Sequence, residues 1–276
     1  MNKITYYLIS IIATTLFCVS CGPKQFYEMT ENGLEYYFFK KNKDGKMGQI
    51  GDIYNLNLTA TTKRDSLLFS EHAMFKRHES IYPGDFHEGL GMVHQGDSIG
   101  FVLNTDSFFG MHSLNIPKGL ENQETFKLLI GVEAILNPFE HMIYKSEQEL
   151  TKMKEFAKDK AWETVTDSTG IMYDVVEPHE DKPYFKMGDS VALSYVYKTL
   201  DGRIINKTRA NDYWRIEVGD PNIRVSGLTR LLVLTRNDEK LRALIPFAEA
   251  FGEDGYGPLI PPYTTIVIEY NAKKID

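Results

Sequence analysis

Cysteine is almost missing from this 276-residue chain, which has two, Cys18 and Cys21, both near the start. A disulfide framework is thereby excluded, and so is a cysteine nucleophile in the rest of the chain, so the fold must be held by its apolar cores. Long apolar runs are also missing: the stretch over residues 4–17 is too short and ends too abruptly for a good membrane span. There is no basic excess either. With 31 Lys and Arg against 38 Asp and Glu the net charge is −7, and no basic stripe appears, which argues against nucleic acid and against electrostatic docking on anionic lipid. Low-complexity tracts, a Gly-x-Ser-x-Gly elbow, a phosphate loop and a dinucleotide fingerprint are all absent. His87-Glu88-Gly89-Leu90 lacks the second histidine of a zinc-binding helix, and His72 and His78 sit in a polar stretch that reads as solvated. Asp and Glu are plentiful, yet no catalytic pair stands out. Any activity must therefore run without metal, nucleotide or covalent intermediate, and no cofactor is implied.

What is present begins with a targeting segment. Lys3 precedes the apolar run, which closes on Cys18-Val19-Ser20-Cys21-Gly22. This resembles the lipobox of bacterial lipoproteins, with Cys18 where that pattern has Leu; it implies a signal over 1–20, cleavage before Cys21 and a lipid on that cysteine. Residues 21–30 read as a tether. The remainder, with 42% hydrophobic and 12% aromatic residues, suffices for two domains with real cores.

The chain then says nearly the same thing twice. Gly33-Leu34-Glu35-Tyr36 and Gly170-Ile171-Met172-Tyr173 open two copies; Gly51-Asp52 and Gly188-Asp189 follow at the same offset; Phe109-Gly110 and Ile116-Pro117 correspond to Phe251-Gly252 and Ile260-Pro261. The period is far longer than the roughly 20 to 50 residues of solenoid repeats, so a tandem duplication of one domain is expected. Copy one predicts strands over 33–40, 52–60, 99–103 and 126–135, with a short helix over 85–94. Copy two predicts strands over 190–197, 213–218, 240–245 and 264–270, with a weak helix over 228–234. Strands in series with one short helix give an α+β class, not a parallel βαβ sheet. Between the copies, Ser146-Glu147-Gln148-Glu149 matches a capping box, with Leu150, Met153, Ala157 and Ala161 at helical spacing; a helical linker over 146–162 is expected. The expected division is 31–136, a linker 137–166, and 167–276.

Copy two, over 170–274, resembles the FK506-binding-protein (FKBP) family of peptidyl-prolyl cis-trans isomerases. The residues that carry this are Gly188-Asp189, Tyr195 followed by Gly202, the segment around Trp214 ending at Gly219, Phe251-Gly252, and Ile260-Pro261-Pro262. The resemblance implies a curved antiparallel sheet wrapped on a short helix, with a proline ring held between them. It implies Tyr195 as wall and polar partner, Ile205 and Trp214 flanking the ring, and Leu228 as floor where the family has Trp. It further implies Val225 as backbone donor, Phe251 in place of Tyr, Ile260 and Ile268 as apolar lining, and Asn206 in place of Asp. Copy one, over 32–135, resembles the family more distantly and implies a second, degenerate pocket: Phe86 at the floor, Phe69, Phe109 and Ile116 as lining, Ser70 at the acidic position and Leu58 in place of the Tyr. The same aromatics also suit an ordinary sheet core.

Two functions follow from the resemblance. One is a folding helper that isomerises X-Pro segments of exported proteins, lipid-anchored at the periplasmic face of the outer membrane. The other is a catalytically weak peptide- or protein-binding module of a membrane-associated assembly, favoured by Asn206, Ser70, Leu58 and Leu228.

Overall fold

The computed structural model describes residues 27–210 and 212–275, and the chain divides into two compact units, Met1–Asn137 and Pro138–Asp276. The targeting segment, with Cys18 and Cys21, lies outside the described residues.

Unit 1 contains β1 (Glu28–Met29), β2 (Glu35–Lys40), β3 (Ile53–Thr61), β4 (Leu67–Lys76), α1 (Phe86–Leu90), β5 (Ser98–Asn104), α2 (Thr105–Met111) and β6 (Thr125–Leu136). Its strands form one antiparallel sheet in the order β1-β2-β5-β6-β3-β4. Alternation on β3 turns Tyr54, Leu56, Leu58 and Ala60 inward onto α1, a consequence of the two-residue period of a strand. Sequence patterning missed three elements here, one of them the two-residue β1, which falls in the stretch expected to be a tether. The edge strand β4 has no clean apolar alternation, and α2 begins as a strand-like stretch that Asn104 caps by accepting from the Ser107 N–H at 2.9 Å.

Unit 2 contains α3 (Pro138–Asp159), β7 (Val165–Thr166), β8 (Met172–Glu177), β9 (Ser190–Lys198), β10 (Ile204–Lys207), β11 (Trp214–Glu217), α4 (Ser226–Val233), β12 (Lys240–Ile245) and β13 (Ile266–Lys274). Its antiparallel order is β10-β9-β13-β12-β8-β7, with β11 also paired to β9. Read from the first short strand of each unit, the order is the same in both, with β10 and β11 together standing where unit 1 has β4. The turns are duplicated too. Gly33 and Gly170 have φ of 89° and 86°, and Gly51 and Gly188 93° and 85°, a region that residues with a Cβ rarely enter, which is why these glycines recur. Each Gly-Asp pair closes the same turn, Asp52 accepting from the Gln49 N–H and Asp189 from the Lys186 N–H, both at 2.9 Å.

The two faces of the second sheet are covered differently. Val191, Leu193, Leu241, Ala243, Ile245, Ile266, Ile268 and Tyr270 pack with Leu228, Leu231 and Leu232 of α4. Met172, Leu244 and Val267, from the opposite face, pack with Met153 and Ala157 of α3. The helix between the copies therefore belongs to the core of unit 2.

Its start differs from expectation. Pro138 opens α3, since a missing N–H is harmless in a first turn, and Ser146 lies mid-helix, its hydroxyl donating to the Met142 carbonyl at 3.0 Å and not capping. The buried stripe is Glu149, Met153 and Ala157, while Leu150 is exposed. Just past the end of the helix Ala161 has φ 51°, and the N–H groups of Ala161 and Trp162 turn back to the Lys158 and Ala157 carbonyls.

Candidate active site

In unit 2 the sheet and α4 leave an open cavity of about 440 Å³. Its walls come from β9 (Tyr195, Tyr197), β10 (Ile205, Asn206), β11 (Trp214), the segment leading into α4 (Asn222 to Val225) and the loop before β13 (Phe251, Tyr256, Leu259, Ile260). The register explains the convergence. Tyr195 and Tyr197 are two apart on β9 and share its inner face, and Trp214 pairs with Leu193, also on that face. Rings of Tyr195 and Tyr197 are 5.0 Å apart, and those of Tyr195 and Trp214 5.5 Å. On the far wall Phe251 stacks on Tyr256 at 5.8 Å, and the Arg224 guanidinium sits 4.6 Å from the Tyr256 ring centre. The Leu259 carbonyl accepts from Arg203 Nη1 at 2.9 Å, which fixes this rim.

Few polar groups interrupt the apolar lining. Asn206 Oδ1 accepts from the Lys207 N–H at 2.8 Å, which directs Nδ2 to donate to the Tyr195 hydroxyl oxygen at 3.1 Å. The Tyr195 proton is left free for another acceptor. Burial pushes its pKa above that of an ordinary phenol, so the hydroxyl keeps this proton throughout the neutral range. Val225 is the N-cap of α4 with no side chain to cap it, and among the described residues its own N–H donates to no backbone or side-chain group. These two donors and a mostly aromatic and aliphatic wall can hold a carbonyl beside an apolar ring.

Of the expected residues, Tyr195, Ile205, Asn206, Trp214, Val225, Phe251 and Ile260 line this cavity. Leu228 and Ile268 do not: both are fully buried in the core of unit 2. Tyr197, Asn222, Ile223, Arg224, Tyr256 and Leu259 complete the lining without having been singled out. The two-residue spacing from Tyr195 could have revealed Tyr197; loop conformation brings in the others and leaves no periodic trace.

The counterpart in unit 1 is filled. Phe86 is fully buried and meets Phe75, Phe101, Phe108 and His112 edge-on, at centroid distances of 5.2, 6.4, 5.5 and 5.8 Å. Phe108 and Phe109 come from α2, where unit 2 has only a 3-10 turn over Phe247–Glu249, and both also contact Phe126. Leu58 and Phe109 are core residues rather than pocket lining, and Phe69 packs on the same cluster. Ser70 lies on the outer face, 3.2 Å from the Thr59 hydroxyl, because it pairs with an outward position of β3. Ile116 is exposed in the loop after α2. Burial and the neighbouring His87 hold His112 at a pKa of about 4, so this interior contains a neutral imidazole.

The chain is similar to several known proteins over part of its length. Macrophage infectivity potentiator of Trypanosoma cruzi is 26% identical over 98 residues, 36% of this chain and 49% of that protein; the chain thus spans about half of that relative's length. FK506-binding protein 1 of Rhizopus delemar is 23% identical over 108 residues, 39% of this chain and 99% of that protein. Among solved structures, a peptidyl-prolyl cis-trans isomerase from Pseudomonas syringae pv. tomato aligns with a TM-score of 0.39 at 26% identity, over 48% of this chain and 94% of that one. Residues 182–271 match the FKBP-type peptidyl-prolyl cis-trans isomerase family, and it is through this segment, the one that forms the open cavity, that the chain is similar to that family.

Proposed function

We propose that unit 2 is a peptidyl-prolyl cis-trans isomerase acting on extended X-Pro segments of exported proteins. One observation carries the reading: an open aromatic cavity with two hydrogen-bond donors uncommitted, inside the segment that matches the family. Isomerisation of an X-Pro bond requires loss of amide resonance, and without help takes tens to hundreds of seconds. Resonance puts negative charge on the carbonyl oxygen and favours water; an apolar pocket disfavours that planar dipolar form relative to the twisted one. The proline ring sits among Tyr195, Ile205, Trp214 and Phe251. The Val225 N–H holds a substrate carbonyl, and the Tyr195 hydroxyl donates to the second carbonyl as it swings. Asn206 keeps the Tyr195 oxygen occupied as an acceptor, which orients its proton. No bond to the protein is made.

Unit 1 has the same strand order with a filled interior, which favours a second role beside catalysis: an FKBP-like module that holds a protein partner by its surface. The segment ending in Cys21 supports lipid attachment and a place on the periplasmic side of the outer membrane. Metabolic labelling with palmitate tests the anchor: Cys21→Ser is expected to abolish incorporation, and retained label excludes it. For catalysis the test is the cis-to-trans rate of a short X-Pro peptide with Trp214→Ala or Phe251→Ala. Each substitution is expected to lower kcat/KM by about tenfold, on the scale of a lost aromatic contact. Rates equal to wild type would exclude the cavity as the site.

A further inference from the structure

The cavity's charge is one-sided. Among the residues that line it there is a single ionised side chain, Arg224, and no carboxylate, although the chain as a whole carries −7. Arg224 is exposed, and among the described residues it makes no ion pair. Its contact is with a ring face: the guanidinium lies 4.6 Å from the centre of Tyr256, which itself stacks on Phe251. The nearest acid along the chain, Asp220, is engaged with Asn222, its Oδ1 accepting from both the backbone N–H and the Nδ2 of that residue at 2.8 Å. A stacked guanidinium keeps its in-plane N–H groups for a carboxylate, in a fixed fork that a lysine cannot reproduce. Arg224 also immediately precedes Val225, whose N–H is the backbone donor of the site. A chain held by that donor is bound next to the residue that carries the guanidinium, and both residues line the cavity.

We infer that Arg224 selects substrates with an acidic residue immediately before the proline, the substrate class being Glu-Pro and Asp-Pro segments. This rests on the cavity being the X-Pro site. Discrimination is the difference between a carboxylate and its uncharged isostere, so it is read as a ratio.

The test uses the full chain and four peptides identical except for Leu, Gln, Glu or Lys before the proline, with both binding by calorimetry and isomerisation measured. The Glu peptide is expected to bind roughly threefold more tightly than the Gln peptide, the size of a half-exposed ion pair, with Lys weakest. The advantage should shrink from low salt to about 0.5 M. In Arg224→Gln the Glu-to-Gln ratio should fall to one, and Arg224→Lys should restore part of it. A ratio of one in the wild type, or a ratio unchanged in Arg224→Gln, overturns the inference even if every peptide is turned over. Peptides that bind with this preference but are not isomerised sustain the inference and remove catalysis. Absence of binding by all four overturns both readings.

Discussion

Asn206 shows how one atom sets the character of a site. A carboxylate there would accept the Tyr195 proton; the amide, held by the Lys207 N–H, instead donates to the phenol oxygen and leaves the proton free. Tyr195→Phe should therefore lower kcat/KM by about three- to tenfold, the worth of one hydrogen bond, without a matching loss of thermal stability. Asn206→Asp should also reduce activity, since it draws the Tyr195 proton away from the cavity; a rise in rate would show that the tyrosine is not the donor. The expected pH profile is flat from about 5.5 to 9. Burial raises Tyr195 and Tyr197, so both remain protonated there, and no histidine lines the cavity. A bell-shaped profile in that range contradicts this assignment. Most of these residues were legible in the sequence because they fall in the order of a known family's motifs. Arg224 and Tyr256 were not, since their contact joins two loops.

Among the elements, α3 departs furthest from its sequence pattern. Met153 and Ala157 of the expected apolar spacing lie in the buried stripe, but Leu150 does not, because the position that opens the stripe is an acid. Glu149 is buried and accepts from the Phe247 N–H at 2.7 Å and the Thr265 hydroxyl at 2.5 Å, tying the helix to both ends of the loop that carries Phe251. A carboxylate with such partners reads in sequence as an exposed helix position. Its desolvation outweighs the two hydrogen bonds and raises its pKa. The folded state thus binds the proton more tightly than the unfolded chain, so the contribution is full below the unfolded value near pH 4.5 and lost as pH rises through the raised one. Urea unfolding of Glu149→Gln, followed by tryptophan fluorescence, should show a smaller fall in stability over that window than the wild type; an identical slope excludes Glu149 as its source. Glu149→Ala leaves two buried donors unpaired and should cost about 2 to 4 kcal/mol.

At the scale of the whole molecule, the recurrence of the same turns in both units was legible because turns need particular residues: the paired glycines and aspartates hold backbone geometries that few others can. The divergence of the two units was not, because the corresponding connections, 105–124 and 246–265, are equal in length and differ in conformation, α2 in one and a 3-10 turn in the other. The helix delivers Phe108 and Phe109 into the space over Phe86, and only the packed structure shows a filled interior. Burial of His112 makes unit 1 sensitive to acid. His112 is held near 4, below its unfolded value of 6.5, so the unfolded chain takes the proton first and unit 1 loses stability as pH falls from about 6.5 to 4. Both tryptophans, Trp162 and Trp214, belong to unit 2. Thermal unfolding at pH 5 should accordingly show circular dichroism lost ahead of tryptophan fluorescence, with His112→Phe narrowing the gap relative to pH 7. Superimposed transitions at both pH values, in wild type and variant alike, contradict it.

The most direct measurement is the cis-to-trans rate of a Leu-Pro tetrapeptide with the fragment following Cys21, its fold first checked by circular dichroism. The account predicts acceleration proportional to protein concentration, reduced about tenfold by Trp214→Ala and unaffected by substitutions at Ser70 or Ile116 in unit 1. A folded wild-type protein that leaves the rate at its uncatalysed value would contradict the central claim.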